Sequence, residues 1–176
     1  MVTEAGARRP LREQDNLVLI GMPGAGKSTL GVLLAKRTAR AFVDTDLLIQ
    51  IRHGRPLQEL LEDAGPLGFR RLEAAVLESL DCRRTVIATG GSAIYSEAAM
   101  ARLRRDGLIV FLSVPLAEVE RRLGNFGERG VVREPGQSLA DLHAEREPLY
   151  RRHADRIVDC QGLDHDSVVR RVLAQL

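Results

Sequence analysis

Eight consecutive residues have the types and spacing of a phosphate-binding loop. Residues 21–28 are Gly-Met-Pro-Gly-Ala-Gly-Lys-Ser, which fill every fixed place of the pattern G-x-x-x-x-G-K-[ST]. In that pattern backbone N–H groups and the lysine contact phosphate oxygens, and the hydroxyl is a ligand of Mg²⁺. We therefore predict a site for a nucleoside triphosphate and Mg²⁺. The predicted contacts are Gly24, Ala25, Gly26, Lys27, Ser28 and Thr29.

The residues on both sides of the loop support this prediction. Residues 16–20, Asn-Leu-Val-Leu-Ile, are predicted to form a buried strand, and residues 29–40 have apolar side chains at helical spacing. A loop between a strand and a helix N-terminus points N–H groups and the positive end of the helix dipole at an anion. The alternative is a chance glycine-rich turn, which the agreement of both flanks disfavours.

Two carboxylates follow the second predicted strand, Ala41–Val43. The segment is Asp44-Thr45-Asp46, and ligands of open α/β sheets lie at the carboxyl ends of strands. One carboxylate is suited to Mg²⁺ and the other to the hydroxyl of an acceptor molecule. The alternative is that one of them only caps the helix predicted to begin at Leu47.

Arg70 and Glu73 lie one helical turn apart in Phe69-Arg-Arg-Leu-Glu73. A surface ion pair between them would explain this spacing. Alternatively, Arg70 binds a substrate carboxylate through its planar fork and Glu73 orients it. The spacing alone leaves both interpretations open.

Two glycines, Gly90 and Gly91, follow the third predicted strand and allow either a close approach to a ligand or a tight turn.

The segment 124–136 has four glycines and little apolar content, and a loop of this length predicts an active-site lid or a disordered linker. We favour a lid, which would exclude water from phosphoryl transfer. Arg122, Arg129 and Arg146 surround this segment, and each taken alone is typical of surface charge.

Length and composition indicate which classes of protein this chain can belong to. The 176 residues suit one domain, and the net charge of +2 with no Trp, two Tyr and four Phe disfavours a nucleic-acid partner. Residues 1–14 lack the apolar core of a signal peptide, and no apolar run is long enough for a bilayer, so we expect a cytoplasmic protein without membrane contact. Cys82 and Cys160 have no metal-ligand spacing and are predicted to be small buried apolar groups, while the four histidines are expected at the surface.

Short apolar runs alternate with helical patterns along the chain. This alternation predicts an α/β fold with a parallel sheet and helices on both faces. The predicted strands are Leu17–Ile20, Ala41–Val43, Thr85–Ala88, Leu108–Leu112 and Arg156–Val158. The predicted helices are Lys27–Arg40, Leu47–Arg52, Pro56–Asp63, Gly68–Leu80, Ser96–Asp106, Leu116–Leu123, Leu139–Arg152 and Ser167–Gln175.

Together these motifs resemble the shikimate kinases, over nearly the whole chain from Leu17 onward. The phosphate loop, Asp44-Thr45-Asp46, the Phe-Arg-x-x-Glu motif at 69–73, the Gly90-Gly91 turn and Arg146-Glu-Pro-Leu-Tyr150 occur in that family's order and spacing. The resemblance implies a P-loop NTPase three-layer sandwich of the nucleoside-monophosphate-kinase type, with a five-stranded parallel sheet and a mobile lid at 124–136. It places a substrate-binding subdomain at about 47–77 within one domain, 15–176, after a disordered extension, 1–14.

The implied activity is phosphorylation of shikimate to shikimate 3-phosphate by ATP and Mg²⁺. The resemblance assigns catalysis to Lys27, Asp46 and Arg129, with Asp46 holding the acceptor hydroxyl as a general base. It assigns Mg²⁺ to Ser28 and Asp44.

The resemblance also assigns the remaining binding contacts. Arg70 and Arg146 bind the shikimate carboxylate, Gly91 and Ser92 line the substrate ring, and Arg122 stacks on adenine. The only partner expected is the small-molecule substrate, and the protein is expected to be a monomer.

The chain departs from the family pattern at several places. Ser92 replaces the third glycine of the turn, Leu61 replaces an aromatic residue, and the lid segment is Arg-Gly-Val-Val at 129–132. Residues 65–66 are Gly-Pro in place of Gly-Glu, and the adenine loop differs at 161–165. These differences keep open a kinase of the same fold for another small hydroxy-acid or sugar acid. A regulatory P-loop ATPase is a further alternative, while a guanine-nucleotide switch would need an Asn-Lys-x-Asp motif, which is absent.

Overall fold

A computed structural model describes residues 10–124 and 131–176 of the chain. The strands are β1 (Asn16–Ile20), β2 (Ala41–Asp44), β3 (Thr85–Ala88), β4 (Gly107–Ser113) and β5 (Arg156–Asp159). The helices are α1 (Lys27–Thr38), α2 (Thr45–His53), α3 (Leu57–Glu78), α4 (Glu97–Asp106), α5 (Leu116–Leu123), α6 (Leu139–His153) and α7 (His165–Leu173). A 3₁₀ turn, Ala93–Tyr95, follows β3.

The five strands form one parallel sheet in the order β2-β3-β1-β4-β5, which confirms the predicted sheet. In the centre, Leu17 of β1 lies opposite Val86 of β3 and Leu108 of β4. The carboxyl ends of β1, β3 and β2 are therefore adjacent. This adjacency brings the phosphate loop, the glycine turn and the Asp44–Asp46 segment to one edge of the sheet.

Helices cover both faces of the sheet and complete the three predicted layers. Helix α1 contacts β2 and β3 and packs against α7, while α4 and α6 contact β4 and α3 packs against α4. The residues of β1 and β3 are buried throughout, as expected for strands covered on both faces. The buried sheet gives the loops at its carboxyl edge a rigid base.

Helices α2 and α3 carry a second, smaller apolar cluster beside the main core. It contains Ile49, Leu60, Phe69, Val76 and Val132, with Leu61 partly buried against it. The sequence predicts two helices where the structure has α3, and the break lies at Gly65, whose φ of 66° and ψ of 174° are not helical. Pro66 is the first residue after this break. Proline suits the start of a helical segment, because the first N–H group of a helix has no partner within the helix.

The described part of the predicted N-terminal extension contacts the domain. The Leu11 N–H donates to the Leu176 carbonyl oxygen, and the Arg40 side chain donates to the carbonyls of Arg12 and Glu13. Residues 1–9 of the predicted extension, 1–14, lie outside the described residues.

One histidine differs from the expectation of a surface position. His153 at the end of α6 is 2% exposed, and burial lowers its pKa. The last turn of α6 is packed against the rest of the domain at this position, so the prediction of a surface position is wrong for His153. Cys160 is buried as predicted, Cys82 is half-buried, and both are free thiols. No helix in the described ranges has the length and apolar character needed to cross a bilayer.

Candidate active site

The phosphate loop joins β1 to α1 through two glycines in left-handed conformations. Gly24 has φ +78° and Gly26 has φ +91°, a region that residues with a side chain rarely adopt. Gly26 is the N-cap of α1 and supplies no side-chain hydrogen bond. The first N–H groups of α1 are therefore left for an anion.

Lys27 is the first residue of α1, and its side chain is folded back over the loop. Its Nζ donates to the carbonyl oxygens of Gly21 at 2.7 Å and Met22 at 2.9 Å. Burial lowers the pKa of Lys27 to about 8, and the nearby Asp46 carboxylate partly offsets this effect. The ammonium group is thus held beside the loop, where the oxygens of a bound phosphate would be within its reach.

Ser28 and Asp44 connect the phosphate loop to the end of β2. The Ser28 Oγ donates to Asp44 Oδ2 at 2.5 Å. The other oxygen, Asp44 Oδ1, accepts hydrogen bonds from the N–H groups of Asp46 and Leu47 and caps α2. The capping interpretation is therefore correct for Asp44, and its second oxygen, Oδ2, contacts Ser28.

This pair of oxygens fits a Mg²⁺ ion. Magnesium in nucleotide sites takes one or two protein oxygens and completes its shell with phosphate oxygens and water. In the described ranges no group of three or more His, Cys, Asp or Glu residues could hold a metal by itself. Ser28 and Asp44 are the residues placed to hold Mg²⁺ together with a bound nucleotide.

Asp46, which is half-buried, and Glu73, which is buried, are two carboxylates next to Gly90. A Cβ atom at Gly90 would overlap Glu73 Oε1 and would lie 2.7 Å from Asp46 Oδ1. Burial, and then Asp44, raises the pKa of Asp46 to about 6. Burial, and then Asp46, raises the pKa of Glu73 to about 7. Both groups titrate in the range where a carboxylate can take up a proton near neutral pH.

Glu73 is held by Ser92, and in the described part of the chain Arg70 pairs with Glu134 and not with Glu73. The Ser92 hydroxyl donates to Glu73 Oε2, and Glu73 Oε1 is buried with no hydrogen-bond partner in the described part of the chain. Glu73 is 1% exposed, so neither a surface ion pair with Arg70 nor an orienting role for that arginine is correct. The carboxylate instead faces the cavity. The only sequence signal for Glu73 was its place in the Phe-Arg-x-x-Glu motif.

Arg146 is fully buried in α6, which corrects the expectation of surface charge for this residue. One of its Nη atoms donates to the Val132 carbonyl oxygen, and Nε donates to the Tyr95 hydroxyl at 3.3 Å. The nearby Tyr150 hydroxyl donates to the Gly91 carbonyl oxygen at 2.6 Å and ties α6 to the glycine turn. A buried guanidinium costs free energy unless an anion pairs with it.

A cavity of about 250 Å³ joins these groups. The phosphate loop, the two carboxylates, the glycine turn and Arg146 all line it. Of the predicted site residues, the lining contains Gly24, Gly26, Lys27, Ser28, Thr29, Asp46, Gly91, Ser92 and Arg146. Glu73, Leu57, Phe69 and Val132 line it as well. The phosphate site and the polar acceptor groups therefore open into one space.

Arg70 lies outside the lining of this cavity. Its guanidinium carbon is 4.0 Å from the ring centroid of Tyr95, and its Nη2 is 3.6 Å from Glu134 Oε1. Tyr95, which sequence reasoning missed, also lies 5.5 Å from the Arg146 guanidinium carbon. The two arginines predicted to share a substrate carboxylate thus meet at one aromatic ring.

Arg122 lies on the other side of the phosphate loop. Its Nη1 donates to the carbonyls of Gly24 and Ala25 at 3.3 and 3.4 Å, and its Nη2 donates to Glu118 at 2.5 Å. A second cleft there is lined by Gly24, Gly26, Glu118, Arg121, Arg122, Leu163, Asp164 and His165. This cleft borders the phosphate loop through Gly24 and Gly26. Arg129 and much of the predicted lid lie outside the described residues.

Comparisons with known proteins agree with this geometry. The sequence model of the family described as shikimate kinase matches residues 23–176. A shikimate kinase of Pseudomonas aeruginosa (strain LESB58) is 39% identical over 165 residues, which cover 92% of this chain and 95% of that protein.

Two solved structures with the same fold differ in how similar they are to this chain. A shikimate kinase from Acinetobacter baumannii in complex with shikimate has a TM-score of 0.82 and 31% identity, covering 91% of both chains. A gluconokinase from Sinorhizobium meliloti 1021 has a TM-score of 0.58 and 25% identity, covering 93% of this chain and 92% of that one. The chain is therefore more similar to the first enzyme than to the second.

Proposed function

The chain belongs to the shikimate kinase family and phosphorylates shikimate with ATP, and we propose that the transfer takes place in the cavity between the phosphate loop and Arg146. One observation carries this proposal: Lys27 and Ser28 of the loop line the same cavity as Asp46 and Arg146. A donor phosphate and an anionic alcohol bound there would be neighbours. Holding two reactants together in this way supplies a large part of the catalysis in phosphoryl transfer.

The nucleotide would lie along the N-terminus of α1. The free N–H groups of the loop and Lys27 would contact the β- and γ-phosphates, and Ser28 and Asp44 would hold Mg²⁺. A Mg²⁺ ion held by Ser28 and Asp44 would offset part of the negative charge that develops during transfer. Arg122 would lie against the adenine in the neighbouring cleft. We also propose that Arg129, which belongs to the predicted lid, supplies a catalytic positive charge.

The acceptor would bind across the cavity from the loop. Arg146 is a buried cation in need of an anion, and it would pair with the carboxylate of shikimate together with Arg70, whose guanidinium lies against the ring of Tyr95. Gly91 and Ser92 would lie along the ring. Asp46, with a pKa raised to about 6, would accept the proton of the attacking hydroxyl.

The two alternatives have less support. A kinase for another sugar acid is disfavoured because the gluconokinase has a lower TM-score, 0.58, than the shikimate kinase at 0.82. A regulatory ATPase, which has no acceptor to bind, would not need a buried arginine and two carboxylates in the cavity next to its phosphate loop. A cytoplasmic location and a monomeric state are part of the proposal, and the two free thiols are consistent with a reducing compartment.

The test measures ADP release from Mg²⁺ and ATP with and without shikimate, followed by mass spectrometry of the product. We expect release to depend on shikimate and the product to be shikimate 3-phosphate. Gluconate and other hydroxy-acids are run in parallel. The proposal would be overturned if one of these compounds stimulated ADP release and shikimate did not. It would also be overturned if the rate of ATP hydrolysis were the same with and without every acceptor.

A matched pair of variants tests the assignment of the acceptor arginines. Arg70→Ala should raise the KM for shikimate at least tenfold, since losing a charge pair to a bound carboxylate costs about 2–5 kcal/mol. Arg71→Ala removes an exposed neighbouring arginine on the same helix and should leave that KM within about twofold. Equal effects of the two substitutions would remove Arg70 from the site.

A further inference from the structure

Tyr95 belongs to a short structured turn next to the acceptor side of the cavity. It ends the 3₁₀ turn that follows Gly90-Gly91-Ser92, and its N–H donates to the Ser92 carbonyl oxygen at 3.1 Å. The turn is anchored to β3 in the buried sheet. The aromatic ring is therefore presented by a rigid element and not by a free loop.

Both acceptor arginines contact this ring, from two different helices. The Arg70 guanidinium of α3 lies 4.0 Å from the ring centroid, and the Arg146 guanidinium of α6 lies 5.5 Å from it. Both distances are within the range of a cation–π interaction. Arg146 also donates to the Tyr95 hydroxyl.

The hydroxyl of Tyr95 extends the contact to a carboxylate. It donates to Glu145 Oε1, and Glu145 Oε2 accepts a hydrogen bond from Gln137 Nε2 at 2.6 Å. Two guanidinium groups close together repel, and the ring face and the Glu145 carboxylate offset that repulsion. Tyr95 thus allows two cations to stay near one site without an anion between them.

Arg70 is left ready for a ligand by this arrangement. Its Nε is buried with no hydrogen-bond partner in the described part of the chain, and its ion pair with Glu134 at 3.6 Å is longer than a hydrogen bond. A flat carboxylate that takes two parallel hydrogen bonds is the anion that a guanidinium fork binds best. The ring holds the fork in place while its own hydrogen bonds remain available.

We propose that Tyr95 is a positioning residue that makes the acceptor site selective for a carboxylate, because it holds Arg70 and Arg146 against one ring. This inference rests on the proposed function, since it assigns the carboxylate of shikimate to these arginines. Tyr95 acts through the arginines and takes no part in phosphoryl transfer. The expected signature is an effect on the KM for the acceptor without an effect on kcat.

The test compares Tyr95→Leu, Tyr95→Phe and the wild-type protein with shikimate and with its methyl ester, which lacks the charge. Tyr95→Leu should raise the KM for shikimate about tenfold, leaving kcat and the KM for ATP within about twofold. Its preference for the acid over the ester should fall by a similar factor. Tyr95→Phe keeps the ring next to Arg70 and should recover most of the loss.

A double-mutant cycle with Arg70→Ala separates positioning from general damage. Tyr95→Leu should raise the KM for shikimate less in the Arg70→Ala background than in the wild-type protein, because only the part that acts through Arg146 remains, whereas a purely structural defect would add in full. If Tyr95→Leu fails to fold, the acid-to-ester preference of Tyr95→Phe, expected to fall about threefold through Arg146, decides the question. An unchanged preference in the folded variants overturns the inference alone. A wild-type protein that does not phosphorylate shikimate overturns the proposed function first, and the inference with it.

Discussion

The Ser92 hydroxyl donates a hydrogen bond to the carboxylate of Glu73, and both side chains are buried. Ser92 occupies the place where the family has a third glycine, so this contact depends on a departure from the family pattern. The bond holds Glu73 with its other oxygen, Oε1, next to Gly90 and Asp46. The glycine turn and the two carboxylates therefore form one unit, and the first two predictions concern it.

Glu73→Gln should stabilise the protein at pH 8 but not at pH 4. Burial raises the pKa of Glu73 from 4.5 to about 7, so the native state binds this proton more tightly than the unfolded chain does. Stability from this group is then fully present below pH 4.5 and is lost as the pH rises through 7. We expect a gain of about 2 kcal/mol in the free energy of unfolding at pH 8, measured by urea denaturation.

The control for this prediction is Glu120→Gln, which changes an exposed glutamate of α5 in the same way. It should leave the free energy of unfolding within about 0.5 kcal/mol at both pH values. A gain from Glu73→Gln that is the same at pH 4 and pH 8 would show that ionisation of Glu73 is not its source.

Gly90→Ala should lower kcat by about a hundredfold, because a misplacement of about 1 Å at a reacting group has an effect of this size. The added Cβ would overlap Glu73 Oε1 and lie 2.7 Å from Asp46 Oδ1, so both carboxylates must move. The KM for ATP should stay within about twofold, as the phosphate loop is not displaced. Steady-state kinetics check this. Ser92→Gly is the control, since it removes atoms from the same turn and should retain at least about a tenth of the activity.

Asp46→Asn should lower kcat by about 10²–10⁴, the usual contribution of a positioned general base, and leave ATP binding nearly unchanged. Since only the ionised carboxylate accepts a proton, wild-type kcat/KM for shikimate should fall as the pH drops below the Asp46 pKa of about 6. The pH profile of kcat/KM measures this. Asp81→Asn, at an exposed position, serves as the control. Full activity in Asp46→Asn would exclude the proposed base.

Arg122→Ala should raise the KM for ATP about fivefold to tenfold, with the KM for shikimate unchanged, because stacking of a cation on an aromatic ring contributes about 1 kcal/mol. The adjacent Arg121 provides a matched control. The Arg121 side chain is 74% exposed, whereas that of Arg122 is 23% exposed and contacts the phosphate loop. Initial rates at varied ATP concentrations distinguish the two variants, and equal KM values would contradict the assignment of Arg122.

Much of the fold could be predicted because its signals are local. The phosphate loop needs glycines at two left-handed positions and a lysine at the first residue of a helix, and all lie within eight residues. The five strands were found from short apolar runs, and the parallel sheet followed from their alternation with helices. Asp44 and Asp46 could be assigned to the site because a strand end in such a sheet faces the ligand edge.

The partners of the site residues were decided by tertiary structure alone. Glu73 and Ser92 are 19 positions apart, and Tyr95 and Arg146 are 51 apart. The spacing of Arg70 and Glu73 allows an ion pair, but packing of α3 against α4 and the 3₁₀ turn accompanies burial of Glu73 and places Arg70 on the ring of Tyr95.

The sequence by itself thus determined which chemistry the chain carries, because a phosphate loop and its strand and helix depend on neighbouring residues. Only the tertiary structure decided that Arg146 is buried, that Glu73 faces the cavity and that Tyr95 joins two arginines. The physical reason is that burial and ion pairing depend on which distant surfaces pack together. The local pattern around an arginine or a glutamate does not contain that information.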